Sequence, residues 1–452
     1  MKSYITYFLL ILTLLTSCKD VLEPKPNDIR TDDLILKQAA DVPLVRIGLY
    51  GAFRGMTSSI VIAGDFTADH IIHNGTFAQY QEFGTKQITS TNADVIAFWG
   101  SIYNTIYIAN FILEKLPTVS GVTAADRKQL TAEARFLRGL AHFFGAYTYG
   151  DVPLVTTTDQ TTNRNISRTA KATVLAAVLA DYQAALADLP DDASTGTGAA
   201  AAFLSKRVAQ AALARFYLYQ KNWAQAETYA TQIISAGKFS LVPDYNTIVN
   251  QNFPAESIFE VGYTLIDDPA TLNSLFVGRR EVIPSNQVVI ALNSAESGAR
   301  VATIAFNSQQ QQGRDNGWTV RKYGTSQTGN GNIVVFRLAE MYLIRAEARA
   351  QQGKLAGTTG AIDDLNQLRT RAKAPAVTAT TQADIILAVE RERQYELAFE
   401  GHRWYDLVRT GRAQAVMSAF SPNWNSRYEV WPIPQAEILR NPGLQGAQNP
   451  GY

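Results

Sequence analysis

A mainly α fold assembled from paired helices is what this 452-residue sequence predicts, and three observations carry it. Apolar residues recur at steps of three and four over most of the chain, the spacing that gathers one stripe on a helix. Two helix pairs repeat one pattern of small residues, a tight polar turn and a large apolar residue. Between the helices lie long stretches rich in Gly, Asn, Ser and Thr where the helical period fades, leaving room for a few short strands.

The elements follow in order. Asp41 is placed to cap a first helix running through Tyr50. Over 126–149, Leu130, Ala134, Leu137, Ala141 and Phe144 form one buried stripe, with Lys128, Glu133, Arg135 and Arg138 mostly outside it. The same spacing predicts helices over about 92–116, 171–189, 203–219, 222–236, 334–352, 359–372 and 382–409. Ser257 to Tyr263 reads as a short strand.

Two of these pairs look like copies of one unit. The first runs from Ala211 and Ala214 through the turn before Trp223 to Ala226 and Ala230. The second runs from Leu343 and Ala346 past Leu355 to Ala361 and Leu365. Small residues let two helices approach closely, and stacked pairs bury a continuous core, so each unit resembles a tetratricopeptide repeat. An ordinary helical hairpin needs the same alanines, and either pair alone supports both readings equally. A further pair over 99–147 strengthens the repeat. The expected architecture is a tetratricopeptide-like helical-pair scaffold with long loop-rich insertions.

Residues 156–169 and 190–200 read as loops, and 238–332 as a long stretch of weak period. Structureless stretches of that length inside a folded domain are usually functional. The expected organisation is therefore a leader over 1–17, an N-terminal helical region over 18–237, a loop-rich insertion and candidate ligand face over 238–332, and a C-terminal helical region over 333–452.

The leader rests on Lys2, the apolar run 5–15 and the small residues before Cys18, the pattern of an export signal too short to span a bilayer. Leu15-Thr16-Ser17-Cys18 also resembles a bacterial lipobox, which makes Cys18 a lipidation site. Cys18 is the one cysteine, so no disulfide, cysteine nucleophile or cysteine-held metal is available to the body of the protein. No second apolar stretch is expected to span a membrane. The formal net charge is +1, and residues 1–17 hold one Lys and no acid, leaving the rest formally neutral. That balance argues against nucleic-acid binding, which needs clustered Lys and Arg.

Catalytic signatures are missing from the sequence: there is no Gly-x-Ser-x-Gly elbow, no Gly-rich phosphate loop after a strand, and no His-Glu-x-x-His. The charge cluster from Glu390 to Arg409 contains Glu396, Glu400 and Asp406, which could be taken for the paired carboxylates of a glycoside hydrolase. On a helix, however, Glu390 and Arg393, Arg393 and Glu396, Glu400 and Arg403, and Arg403 and Asp406 stand three apart, as ion pairs do. Acids so paired have lowered pKa values, whereas a general acid needs a raised one. His70 and His73 would share one face of any helix there, with Asp65 and Asp69 close by, but no third strong ligand follows at a diagnostic spacing, so neither metal nor cofactor is expected. His142, among Phe143, Phe144 and Tyr147, reads as a packing histidine.

The remaining candidates are aromatic residues in polar, irregular context: Phe77 and Tyr80 after Asn74, Trp318, Tyr323, and Trp424 between two asparagines. A flat ring beside amides and carboxylates offers a sugar a stacking face and hydrogen bonds. For each ring taken singly, capping the core under a loop is the simpler reading. Trp99, Trp223, Trp404 and Trp431 sit in helical or Pro-flanked apolar context and read as structural.

Several segments together resemble the SusD/RagB family of outer-membrane nutrient-binding lipoproteins. They are Leu15 to Cys18, Glu133 to Phe144 leading to Tyr149 to Leu154, Lys206 to Leu218, Phe336 to Ala348, Glu390 to Asp406, Trp431 to Pro434, and Gln448 to Tyr452. The resemblance implies display on the outer membrane, lipid-anchored and facing the cell exterior. It also implies a partner, a SusC-like TonB-dependent transporter, that receives captured glycan or peptide. It implies no catalytic residues, and it transfers no ligand contacts, because these lie in variable loops. The rival readings are a surface glycoside hydrolase and a tetratricopeptide-type assembly protein.

Overall fold

The computed structural model describes residues 35–192, 200–263, 270–324 and 331–452. Cys18 and the leader lie outside them. The principal helices are α1 (Val42–Val61), α2 (Ala93–Lys115), α3 (Ala124–Tyr149), α4 (Lys171–Asp188), α5 (Lys206–Tyr219), α6 (Trp223–Ser235), α7 (Leu338–Gln351), α8 (Ala361–Arg371), α9 (Gln382–Glu396) and α10 (Arg403–Arg409). Among the described residues, six short strands are β1 (Ile71–His73), β2 (Ser257–Val261), β3 (Val282–Pro284), β4 (Ile304–Phe306), β5 (Trp318–Val320) and β6 (Ile333–Arg337). They pair antiparallel as β1–β3, β2–β6 and β4–β5.

Most helices pack on their neighbours in the chain: α1 on α2, α2 on α3, α3 on α4, α4 on α5, α5 on α6 and α7 on α8, while α9 returns to pack on α7. This nearest-neighbour stacking is the physics of a repeat scaffold, in which a single pair cannot bury its own apolar face. The sequence breaks the pattern between α6 and α7, yet α6 packs directly on α7. The residues between them leave the stack and rejoin it. Small side chains serve both faces of α7: Ala348 is fully buried in the same core as Ala226 and Ala230 of α6, while Ala339 and Ala346 are buried against Leu365 and Leu368 of α8.

Caps fix where several helices begin. Asn92 accepts the Asp94 amide at 2.9 Å and Thr123 accepts the Asp126 amide at 3.1 Å. Asp41 does not act this way. Its carboxylate accepts the Lys37 and Gln38 amides at 2.9 and 3.2 Å, ahead of the helix, and α1 continues to Val61. The stripe Leu130, Ala134, Leu137, Ala141 and Phe144 is buried as predicted. Glu133 is not outside it: it is fully buried and held by Arg46 Nε at 2.7 Å. Helix α2 is long and apolar enough to cross a membrane, contrary to the expectation of no such stretch. Its apolar residues are accounted for inside the protein, where Val95, Phe98, Trp99, Ile102, Ile106 and Ile112 are buried.

Two predicted helices are shorter than their periods imply. Residues 333–337 form β6, because a β-branched and aromatic run, Ile333-Val-Val-Phe, pairs with β2 in the register Val261↔Ile333 and Ser257↔Arg337. The helix predicted over 382–409 stops at Glu396 and resumes at Arg403. The chain turns between them through Phe399 (φ +64°) and Gly401 (φ +81°). A Cβ on Gly64 would overlap the Gly401 carbonyl, so two backbones meet there at a distance only glycine allows.

That turn redirects the charges. The i,i+3 pairs expected along one helix are largely replaced by partners remote in sequence. Glu396 accepts from Arg337 Nη1 and Arg300 Nε, both at 2.6 Å, and from Arg371. Glu400 accepts from Arg337 Nε at 2.8 Å and from Lys322. Arg403 binds Asp69 through Nε at 2.8 Å and Nη2 at 2.9 Å, and Arg393 binds Asp406 at 2.7 Å. Burial pushes the Glu396 carboxyl up, but Arg371, Arg300 and Arg337 outweigh it and hold it well below its usual value.

Stability should follow from that shift. A carboxylate with a depressed folded pKa contributes stability above its unfolded value of 4.5, which is lost as pH falls toward the folded value. Glu396→Gln should therefore cost about 3–5 kcal/mol at pH 7 by denaturant unfolding, because it strands buried arginine donors. The gap to the parent should narrow as pH falls below 4.5.

Candidate functional site

The segment between α6 and α7, together with the loop after β1, builds a small platform. Strand β1 pairs with β3 in the register Ile71↔Pro284 and His73↔Val282, and β4 pairs with β5 so that Phe306 faces Trp318. Strand β3 also packs against β5, which brings both sheets to one place.

Glu281, just before β3, fixes the loop after β1. Its carbonyl accepts the Asn74 and Gly75 amides at 2.8 and 3.0 Å. Its buried carboxylate accepts the Thr76 and Phe77 amides at 2.8 and 3.1 Å. Arg280 then joins the two sheets. Its Nε and Nη2 donate to Asp315 at 2.8 and 2.6 Å, and Nη2 also donates to the Trp318 carbonyl at 3.0 Å. Asn74 Nδ2 closes the ring by donating to Asp315 at 3.1 Å and to the Arg280 carbonyl at 2.9 Å. Partial burial pushes the Asp315 carboxyl up, while Arg280 and the Gly317 amide hold it below its ordinary value.

Rings occupy the outside of this framework. Phe306 is 49% exposed and lies 5.2 Å from the half-buried Trp318, centroid to centroid. Phe77 is half-buried, with the Arg279 guanidinium 5.1 Å from its ring. Aromatic rings, an amide and arginines thus border one loop framework whose backbone is pinned in advance. Rings so placed can stack a flat ring, with polar groups beside them to hydrogen-bond its substituents.

Of the sequence candidates, Asn74, Phe77 and Trp318 come together here. Tyr80 lies beneath, 6% exposed, against Phe77 and Phe66. Tyr323 is a core residue and not a surface one: it is 3% exposed, stacks on Phe276 and donates to the Phe399 carbonyl at 2.5 Å. Trp424 packs on Trp404 and Tyr428 and donates to Gln414 at 3.1 Å, outside the platform. Sequence reasoning missed Arg279, Arg280, Glu281 and Phe306. The triplet Arg279-Arg280-Glu281 was a usable signal, being the only charges between Asp268 and Glu296.

The other candidate chemistry resolves into packing. Residues 71–73 are strand, so His70 and His73 do not share a helix face; His70 Nδ1 bonds Asp65 at 2.8 Å. No group of three or more His, Cys, Asp or Glu suited to a metal is found among the described residues. His142 is buried with Nδ1 3.1 Å from the Arg138 carbonyl, and burial lowers its pKa to about 3. Glu396, Glu400 and Asp406 are buried and committed to arginine or lysine, not paired across a surface cleft.

A stacked helical scaffold carrying a loop-built aromatic face defines the class, and comparison with known proteins gives the family. The SusD family model matches residues 305–452, and a model described as starch-binding associating with outer membrane matches residues 49–218. SusD-like protein P38 of Formosa agariphila is 26% identical over 511 residues, spanning 99% of this chain and 98% of its own. Starch-binding protein SusD of Bacteroides thetaiotaomicron is 36% identical over 132 residues, 27% of this chain and 22% of its own. A solved laminarin-binding SusD-like protein superposes with a TM-score of 0.78 at 24% identity, covering 92% of this chain and 100% of its own. The chain belongs to the SusD-like family.

The clip made by Glu281 is testable by itself. Glu281→Ala removes the acceptor of two amides, worth roughly 1–3 kcal/mol of local order. Amide hydrogen exchange at Thr76 and Phe77 should quicken by about tenfold or more while protection in α3 and α7 stays unchanged.

Proposed function

We propose that this protein captures glycan on the outer membrane and passes it to a SusC-like TonB-dependent transporter. The observation that carries the reading is the platform itself, in which Phe77, Phe306 and Trp318 are held around Asn74 and the Arg280–Asp315 pair. Each carboxylate in it already accepts from an arginine or from backbone amides, which suits holding a ligand more than cleaving one. Relatives named as starch-binding and laminarin-binding support a carbohydrate ligand. In this reading the insertion over 238–332, with the loop around Asn74, supplies the ligand face. The helical regions over 18–237 and 333–452 hold it in place.

Cys18 supplies the tether. Lasting membrane attachment needs two or more acyl chains at about 0.8 kcal/mol per buried methylene. A tethered receptor beside a pore works at high local concentration, so moderate affinity suffices for delivery.

Titration of the purified protein with laminarin and soluble starch, with casein-derived peptides as the contrasting class, tests the capture step. Trp318→Ala should weaken glycan binding about 30-fold, roughly 2 kcal/mol, with the melting temperature kept. Unchanged affinity in that variant, or binding confined to peptides, would overturn the assignment. Separately, Cys18→Ser should move the protein from the membrane fraction to the soluble one and abolish labelling by a palmitate analogue. Retention in the membrane would remove the tether.

A further inference from the structure

Arg393, on α9, is 3% exposed, and its Nε donates to Asp406 Oδ2 at 2.7 Å. Both terminal nitrogens, Nη1 and Nη2, are buried without a hydrogen-bond partner among the described residues. The acids nearby are already taken. Asp406 Oδ1 accepts from Arg409 at 2.8 Å, Glu347 accepts from both Arg409 terminal nitrogens at 2.5 and 2.8 Å, and Glu390 accepts from Arg412 at 2.9 Å. A guanidinium cannot shed its charge, so these donors stay desolvated and unanswered, a costly arrangement for a folded protein to keep.

Arg393 lines a groove of about 250 Å³ where the α5–α6 turn meets α7, α9 and α10. That is slightly below the roughly 300–1,000 Å³ of sites for drug-sized ligands. Half-buried Trp223 and partly exposed Leu387 give it an apolar wall. Its charged lining is Lys221, Arg393, Arg409 and Arg412 against Glu347, Glu390 and Asp406, an excess of one positive charge. A single negative charge balances that lining, whereas a phosphate dianion would overshoot it and face three carboxylates.

We propose that this groove binds a small monocarboxylate, its two oxygens accepting from Arg393 Nη1 and Nη2 while its ring or aliphatic body lies on Trp223 and Leu387. A planar fork of N–H donors matches a carboxylate in two parallel hydrogen bonds, which a single-point cation does not reproduce. The site shares no residue with the loop platform and stands independently of the glycan reading. A carboxylate of this kind could be carried by a uronic acid or by the C-terminus of a peptide.

Titration calorimetry of the full-length protein in detergent, with sodium D-glucuronate, N-acetyl-L-leucine and neutral D-glucose as probes, separates these sources. At least one carboxylate should bind while glucose does not; glucuronate alone supports the uronate source, N-acetyl-leucine alone the peptide source, and both the shared chemistry. Arg393→Lys, which keeps the charge and loses the fork, should weaken the interaction about tenfold or more. Trp223→Ala, outside the ion pairs, should weaken it about fivefold or more with the fold retained. Trp318→Ala should leave it unchanged. Binding of neither carboxylate, or carboxylate binding unaltered in both Arg393→Lys and Trp223→Ala, would overturn the proposal.

Discussion

Glu396 is fully buried and accepts hydrogen bonds from arginines in three separate stretches of chain: Arg300 in the excursion between α6 and α7, Arg337 at the end of β6, and Arg371 at the end of α8. No one of these contacts is local. Taking such charges out of water costs several kcal/mol per ion, and the cost is offset only when every partner arrives in register. Glu256 and Glu400 extend the constraint, since Arg337 also donates to them at 2.9 and 2.8 Å, and Lys322 joins Glu400. The network therefore acts less as added stability than as a condition: α9 seats correctly only if the excursion and β6 do. That is how a loop-rich insertion, with little regular structure of its own, becomes rigidly attached to a helical stack.

The platform uses the same device on a smaller scale and nearer solvent. Arg280 and Asp315 come from different sheets, and their two hydrogen bonds hold the β1 loop against the β4–β5 hairpin. Glu281 fixes the backbone of that loop through four amides, so Phe77 is positioned before any ligand arrives. Ordering cost met during folding is not charged again on binding, and a shallow site gains usable affinity from few contacts.

The helices were legible because each carries its own signal. The alanines of α5 and α6 and the stripe of α3 announce burial through spacing alone, and burial follows. The failures share a cause, which is tertiary override of a local period. Ile333 to Arg337 continues the helical rhythm of α7, yet its β-branched residues find β2, more than 70 residues earlier, and become strand. The charges from Glu390 to Asp406 keep helical spacing across a turn that Gly401 makes possible, so the spacing names the right kind of interaction with the wrong partners. Among the site candidates, Asn74, Phe77 and Trp318 share a polar irregular context with Tyr323. Nothing local separates a ring over a loop from one whose hydroxyl reaches the Phe399 carbonyl. Exposure is set by packing between distant segments, which a single sequence does not display.

The ion pairs also explain why Arg393 stands out. Most other buried arginines of the C-terminal helices have their terminal nitrogens answered by carboxylates: Arg345 and Arg349 by Asp364, Arg403 by Asp69, Arg409 by Glu347. Arg393 spends only Nε on Asp406, while the remaining oxygens of Asp406, Glu347 and Glu390 accept from Arg409 and Arg412. Glu390, Arg393 and Glu396 stand three apart on α9, the spacing of ion pairs, yet Glu390 accepts from Arg412 and Glu396 from Arg300, Arg337 and Arg371. The acids beside Arg393 on its own helix are thus spent on arginines from elsewhere in the chain, which leaves its two terminal nitrogens unpaired at the groove that Trp223 also lines. Scaffold register and the unspent donors follow from one competition for carboxylates.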